Sequence, residues 1–231
     1  MMNTVKIPEI SIIVPVFNSE SIIPHLLGQI EQAMRHSILS FELILVDDCS
    51  TDHSFAKLQE LANDKENYRV FKNEHNLGQA YTSLFGLSKA IGSYLVTIDD
   101  DLEYDPEDIR LLYEAIQLEK LPVVFGLAKD KYQKQGKSGP LSKFRNSLLN
   151  LLWNKPVTDS FKIVRRSFLF DGTKFLASVP FEVFLRDNLD RRHIGYVQVP
   201  FYPRAHGKSN YTLLKKIQLF WQMHLAFRQR N

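Results

Sequence analysis

Short apolar runs alternate with amphipathic stretches over residues 10–126, and that alternation is the strongest constraint on the fold. The runs are Ile10-Ser11-Ile12-Ile13-Val14, Phe41-Glu42-Leu43-Ile44-Leu45-Val46, Tyr68-Arg69-Val70-Phe71, Tyr94-Leu95-Val96-Thr97-Ile98 and Pro122-Val123-Val124-Phe125-Gly126. Each is too short for a core helix, and most are nearly all apolar, as expected of strands covered on both faces. The stretches between them read as helices. One runs to about Arg35 with Ser19 or Ser21 as its cap. Others cover Ser54 to Asn63, Gln79 to Ala90, and Pro106 to about Leu118. Four such alternations predict a doubly wound, mostly parallel sheet flanked by helices and joined by right-handed crossovers.

A parallel sheet gathers the loops after its strands along one edge, where α/β proteins bind ligands. Here those loops are acidic. The first strand leads into Pro15-Val16-Phe17-Asn18-Ser19-Glu20, the second into Asp47-Asp48-Cys49-Ser50-Thr51-Asp52, and the fourth into Asp99-Asp100-Asp101-Leu102-Glu103. Crowded carboxylates repel one another, so a strand that ends in three of them prepares a place for a hard divalent cation. Neither Gly-x-Gly-x-x-Gly nor a P-loop pattern follows the first strand, which argues against dinucleotide dehydrogenases and P-loop NTPases.

The 231 residues, 44% of them hydrophobic, suffice for one sizeable core. One cysteine, Cys49, allows no internal disulfide and points to a reducing compartment. The first residues carry no signal-peptide pattern, and no apolar stretch reaches the roughly 20 residues that span a bilayer, so no transmembrane helix is expected. The net charge of +3 hides an asymmetry. Residues 191–231 hold eight Lys or Arg and no acid, and residues 129–155 hold seven against Asp130 alone. The second half therefore suits an anionic partner.

Val14-Pro15-Val16-Phe17-Asn18, Val46-Asp47-Asp48-Cys49-Ser50-Thr51-Asp52, Asn76-Leu77-Gly78 and Asp99-Asp100-Asp101 together resemble the inverting family 2 glycosyltransferases of GT-A fold. The usual patterns there are V-P-x-Y-N-E, V-D-D-G-S-x-D, N-x-G and D-x-D. This chain departs with Phe17 for Tyr, Ser19 before Glu20, and Cys49 for Gly, none of which removes a carboxylate. Cys49 raises the question of whether its turn needs a positive φ, which Cys tolerates poorly. The resemblance implies that Pro15, Phe17, Asn18 and Glu20 line a nucleoside pocket. It implies that Asp47 or Asp48 accepts a hydrogen bond from the base, and that Asp99 and Asp100 face the donor. Asp99 would sit near the ribose or the metal, and Asp101 would bind Mg²⁺ or Mn²⁺ bridging a sugar-nucleotide diphosphate.

Asp101-Leu102-Glu103 further resembles the D-x-D-L-Q run of the polyprenyl-phosphate branch, which includes dolichol-phosphate mannose synthases. There the third side chain joins the metal shell, so Glu103 is implied as a ligand. Arg204-Ala205-His206-Gly207-Lys208-Ser209-Asn210-Tyr211 resembles that branch's R-x-x-G-x-S motif, implying that Arg204, Lys208 and Ser209 hold phosphates. Lys129 and Arg145 fall where the branch places acceptor-loop arginines. Asp159 is the candidate for orienting the acceptor or groups near the metal. The catalytic set so implied is Asp99, Asp101, Asp159 and Arg204.

A polyprenyl phosphate is already ionised near neutral pH and needs no strong general base. A sugar hydroxyl, as in surface polysaccharide assembly, would need one, and Glu182 or Asp187 is the acid placed for it. The expected layout is a single catalytic domain over residues 1–210. It divides into a nucleotide-sugar half, 1–127, and an acceptor half, 128–210. Residues 211–231 form an amphipathic helix with Leu213, Leu214, Ile217, Phe220, Trp221, Leu225 and Phe227 on one face. With its basic residues this helix suits an anionic membrane surface, a membrane-protein partner or a homodimer seam. The chain is expected in the cytoplasm, peripheral at the membrane face. The alternative of another class is a non-catalytic nucleotide-sugar or nucleic-acid binding module, but a nucleic-acid partner is not expected, because the tail's aromatics lie on the apolar stripe rather than among its basic residues.

Overall fold

The computed structural model describes residues 7–128, 160–170 and 193–202. In chain order these form β1 (Ile10–Val16), α1 (Ile23–Ser37), β2 (Phe41–Asp47), α2 (Ser54–Ala62), β3 (Tyr68–Lys72), α3 (Gln79–Lys89) and β4 (Tyr94–Thr97). A 3-10 turn (Pro106–Asp108), α4 (Ile109–Leu118), β5 (Val123–Ala128), β6 (Lys162–Arg165), the short α5 (Arg166–Phe170) and β7 (Ile194–Val199) follow. One seven-stranded sheet has the order β3-β2-β1-β4-β6-β5-β7. Pairing is parallel for β1 with β2 and β4, β2 with β3, and β5 with β7.

The sheet is mostly parallel, as expected, and the exception is β6, which runs antiparallel to both β4 and β5. Arg165, at its end, holds it there. The guanidinium donates to the Tyr94 hydroxyl at 2.6 Å, to the Leu121 carbonyl and to the Ile116 carbonyl, both at 2.8 Å. β4, β6 and the last turn of α4 are thereby tied at one point.

Alternation along each strand sends residues to opposite faces. Ile10, Ile12, Val14, Leu43, Leu45 and Val96 pack with α1, α2 and α4. Ile13, Ile44, Val46, Leu95, Val123 and Phe125 pack with α3 and α5. Helix α1 begins at Ile23 with Pro24 in its first turn, and its cap position, Ile22, makes no side-chain cap bond. Neither serine caps it by side chain. The Ser19 carbonyl accepts from the Ile22 and Ile23 amides, and its hydroxyl is used elsewhere. Among the described residues, no helix is long and apolar enough to cross a membrane.

Asp108 ends the 3-10 turn only 9% exposed, and its Oδ2 is buried without a hydrogen-bond partner. Burial first, then the Asp105 and Glu107 charges, push its pKa from 3.8 to about 6. A carboxyl whose folded pKa is raised costs stability above that pKa, and the cost vanishes below the unfolded value. Asp108→Asn is therefore expected to stabilise the fold at pH 7.5 by about 1 kcal/mol, after discount for solvent screening. That corresponds to a melting temperature roughly 2–4 °C higher. At pH 4 the variant and the parent should melt together, which thermal denaturation at the two pH values checks.

Candidate active site at the carboxyl edge of the sheet

Loops after β1, β2 and β4 meet at one edge and are stitched together by side chains. Asn18, at φ 53°, takes the Thr51 amide on its Oδ1 at 2.8 Å and gives its own amide to Ser50 Oγ at 3.0 Å. The Ser19 amide donates to Ser54 Oγ at 2.8 Å. The Glu20 amide donates to Asp52 Oδ2 at 3.3 Å, and Glu20 Oε2 accepts from the His53 amide at 3.4 Å. Asn18 and Glu20 thus clamp the first two loops to each other. Pro15 lies within β1, in register with Val46.

Asp47 and Asp48 end β2 as neighbours with different duties. Asp48 Oδ1 accepts from the Leu77 amide and from Asn73 Nδ2, and its Oδ2 from the Gly78 amide, each at 2.8 Å. Both oxygens are spent on the Asn76-Leu77-Gly78 turn. Gly78 sits at φ 84°, where a side chain would be strained. Asp47 is fully buried. One oxygen accepts from the Ser50 amide at 3.1 Å, and Oδ1 has no hydrogen-bond partner. Cys49 follows at φ 59°, so this turn does demand the left-handed region, and Cys occupies it.

The acids after β4 are crowded. Asp99 Oδ2 accepts from Ser160 Oγ at 2.6 Å, and its Oδ1 accepts from Gln79 Nε2. Asp100 Oδ2 accepts from Ser19 Oγ at 2.5 Å and from the Phe17 amide at 3.1 Å, bracing the fourth loop against the first. Asp101 Oδ1 accepts from the Glu103 amide at 3.1 Å across Leu102, whose φ of 59° folds the chain back. Burial first, then the Asp101 charge, raise the Asp99 pKa to about 7, and burial raises that of Asp100 to about 6. Lys162, buried on β6, opposes the Asp99 shift.

The donor set here is all hard oxygen, and burial first, then its own repulsion, penalises the charged state. A divalent cation relieves that penalty, so Mg²⁺ or Mn²⁺ fits these residues. Among the described residues, no three His, Cys, Asp or Glu side chains converge as a ready-made ligand set. The implied trio of Asp99, Asp101 and Glu103 is therefore not preassembled.

Gln79, Ser160 and Lys162 enter the site without having been given a site role by the sequence, and Ser19, expected as a helix cap, joins them. Lys162 left a signal, a charge inside the apolar run Phe161-Lys162-Ile163-Val164. Ser160 and Gln79 left none. Lys129, Arg145, Asp159, Glu182, Asp187, Arg204, Lys208, Ser209 and the final helix over 211–231 lie outside the described residues.

The sequence profile of "Glycosyl transferase family 2" matches residues 11–185. The chain belongs to that family. It is 29% identical over 222 residues to the undecaprenyl-phosphate 4-deoxy-4-formamido-L-arabinose transferase of Proteus mirabilis, covering 94% of this chain and 67% of the relative. It is 26% identical to the dodecaprenyl-phosphate galacturonate synthase of Rhizobium johnstonii, covering 91% of this chain and 64% of the relative. The chain thus spans about two thirds of the length of these curated relatives. Among solved structures, glucosyl-3-phosphoglycerate synthase of Mycobacterium tuberculosis superposes with a TM-score of 0.68 at 17% identity, covering 94% of this chain and 77% of that one. That crystal contains Mn²⁺, UDP and phosphoglyceric acid, and the likeness shows the shared GT-A fold. The mostly parallel sheet flanked by helices is the fold the motifs implied.

Proposed function

We propose that this family 2 chain transfers a sugar, with inversion, from a nucleoside diphospho-sugar to a polyprenyl phosphate. The observation that carries the reading is the crowding of Asp99, Asp100 and Asp101 at the end of β4, beside the loops of β1 and β2. The relatives named for transfer to undecaprenyl or dodecaprenyl phosphate support the acceptor class and differ from each other in the sugar.

For the two acids that end β2, the difference in pairing separates the roles. Asp47 Oδ1, buried and unpartnered, accepts the ring N–H of the base, whereas Asp48 is spent on its turn. Pro15 and Phe17 border the nucleoside. Asn18, Glu20 and Asp100 hold the loops around it. Asp101, with Asp99 and Glu103, holds Mg²⁺ or Mn²⁺. Such an ion, when bound, supplies the positive charge that neutralises the departing diphosphate. Arg204, Lys208 and Ser209, with Lys129 and Arg145, hold acceptor or donor phosphates, and Asp159 orients the acceptor. The acceptor's phosphate oxygen, already ionised, attacks the anomeric carbon without a base. The basic 211–231 segment rests against an anionic membrane on its cytoplasmic side.

The test has two stages. A thermal-shift panel of UDP, GDP and dTDP with and without Mn²⁺ identifies the donor base, since a ligand of the folded state raises its melting temperature. Matching nucleotide sugars are then incubated with undecaprenyl phosphate, and the lipid is weighed by mass spectrometry. The reading expects a glycosyl phosphate lipid formed only with metal. Sugar found on a polysaccharide hydroxyl and none on the lipid would contradict it.

A further inference from the structure

Asp99 is gripped from two directions by neutral donors. Gln79 Nε2 holds Oδ1, and Ser160 Oγ holds Oδ2 at 2.6 Å. Each donor is itself fixed. Ser160 leads into β6, and its carbonyl accepts from Thr97 Oγ1 at 2.5 Å, two residues before Asp99 on the neighbouring strand. Gln79 is the first residue of α3, directly after Gly78. The Leu77 and Gly78 amides are pinned to Asp48 at 2.8 Å each, and Asn76 Nδ2 reaches the Asp48 carbonyl at 3.2 Å. A rigid path thus runs from the end of β2, through the turn, to the carboxylate at the end of β4.

The chemistry of the holder matters as much as its position. An aspartate χ2 is a broad, roughly two-fold torsion, so its carboxylate turns easily unless restrained. An ionised carboxylate has about four lone-pair sites, of which two are taken here. A lysine at position 79 would restrain Asp99 but would also neutralise it and repel a cation. An apolar residue would leave Oδ1 unheld. An amide restrains the oxygen and leaves its charge in place. Outer partners of this kind orient metal ligands, and their loss costs metal affinity.

We propose that Gln79, anchored through its turn by Asp48, is a positioning residue of the cation site: it fixes how the Asp99 carboxylate presents its remaining lone pairs. This rests on the reading that Asp99 and Asp101 hold the ion. It assigns Asp48 a scaffold role in place of base recognition, and it makes the Asn76-Leu77-Gly78-Gln79 segment part of the metal centre.

The test measures Mn²⁺ alone, by the electron paramagnetic resonance of the free ion titrated with full-length protein. Gln79→Met keeps length, helix preference and packing but removes the donor. Its Mn²⁺ Kd should rise about tenfold, with a melting temperature within about 2 °C of the parent. Ser160→Ala should act in the same direction through the other oxygen. In an Asp99→Asn background the Gln79→Met change should add nothing, because both act through one carboxylate. Unchanged Mn²⁺ affinity in Gln79→Met, or an undiminished effect in the Asp99→Asn background, overturns the inference while leaving the site reading intact. Parent-like Mn²⁺ binding by Asp99→Asn alone, or no binding by the parent, overturns both.

Discussion

Asp101→Asn should lower glycosyl transfer about a thousandfold, equivalent to roughly 4 kcal/mol of transition-state stabilisation, without unfolding the protein. The substitution keeps the shape of the side chain, and an amide oxygen can still accept the Glu103 amide that Asp101 Oδ1 takes at 3.1 Å. What is lost is charge. In the absence of metal that charge repels the Asp99 and Asp100 carboxylates and, behind burial, contributes to their raised pKa values. The variant should therefore melt a few degrees higher than the parent in chelator, at about 2–4 °C per kcal/mol relieved for a chain of this size. Loss of rate with gain of stability is the signature of a group kept for chemistry rather than for folding. Steady-state kinetics with saturating donor, paired with melting curves in chelator, measures both halves. A variant that loses activity only because it unfolds would assign Asp101 to the scaffold.

Glu42→Ala should have the opposite profile, costing about 3 kcal/mol of stability and leaving Mn²⁺ affinity unchanged. Glu42 lies near the start of β2, at the end of the strand remote from Asp47. It is 4% exposed, and three donors meet its two oxygens. Oε1 accepts from Ser11 Oγ at 2.5 Å and from the Ile91 amide at 2.7 Å, while Oε2 meets Arg69 Nη1 at 3.1 Å. The same Arg69 nitrogen caps the Lys89 carbonyl at 2.6 Å, and the Gly92 amide donates to Ser11 Oγ at 2.8 Å. One carboxylate thereby ties β1 and β3 to the link between α3 and β4. Gly92 belongs to this knot by size, because a Cβ there would stand 2.7 Å from the Ser11 amide nitrogen. Removing one partner of a buried ion pair typically costs 3–5 kcal/mol, and the low end applies because Arg69 is 38% exposed and can turn to water. Urea denaturation gives the stability, and Mn²⁺ titration of the still-folded variant gives the affinity. A loss below about 1 kcal/mol would remove Glu42 from its place as a keystone.

The contrast between Glu42 and Asp101 shows what a sequence of this kind makes legible. The β/α alternation was readable because the central strands β1 and β2 bury both faces, so Ile12-Ile13-Val14 or Leu43-Ile44-Leu45 admits few alternatives. The meeting of the acidic loops followed from parallel pairing alone. The reversed direction of β6 was not readable, since Lys162-Ile163-Val164-Arg165 carries no mark of its partners, and direction is settled by the contacts of Arg165. Within the site, charge was legible and its division of labour was not. Asp47 and Asp48 are adjacent and chemically identical, yet one serves the turn and the other keeps a free oxygen. Nothing local distinguishes them, because the difference lies in backbone amides some 30 residues away. Positive φ at Leu102 was equally hidden, whereas at Cys49 the glycine usual in the motif had raised the question. The left-handed region costs a non-glycine residue on the order of 1–2 kcal/mol, so sequence propensity points away from it. Both residues sit in the acidic loops, where tertiary contacts hold the backbone in place.

The central claim, that Asp99 and Asp101 share a divalent cation at the end of β4, is tested most directly by manganese anomalous diffraction. Crystals of the full chain grown with Mn²⁺ and the nucleoside diphosphate chosen by thermal shift should give an anomalous peak in coordination contact with oxygens of both carboxylates. The peak should be absent in Asp101→Asn crystals grown identically. A manganese ion bound elsewhere, with both side chains turned from it, would contradict the account.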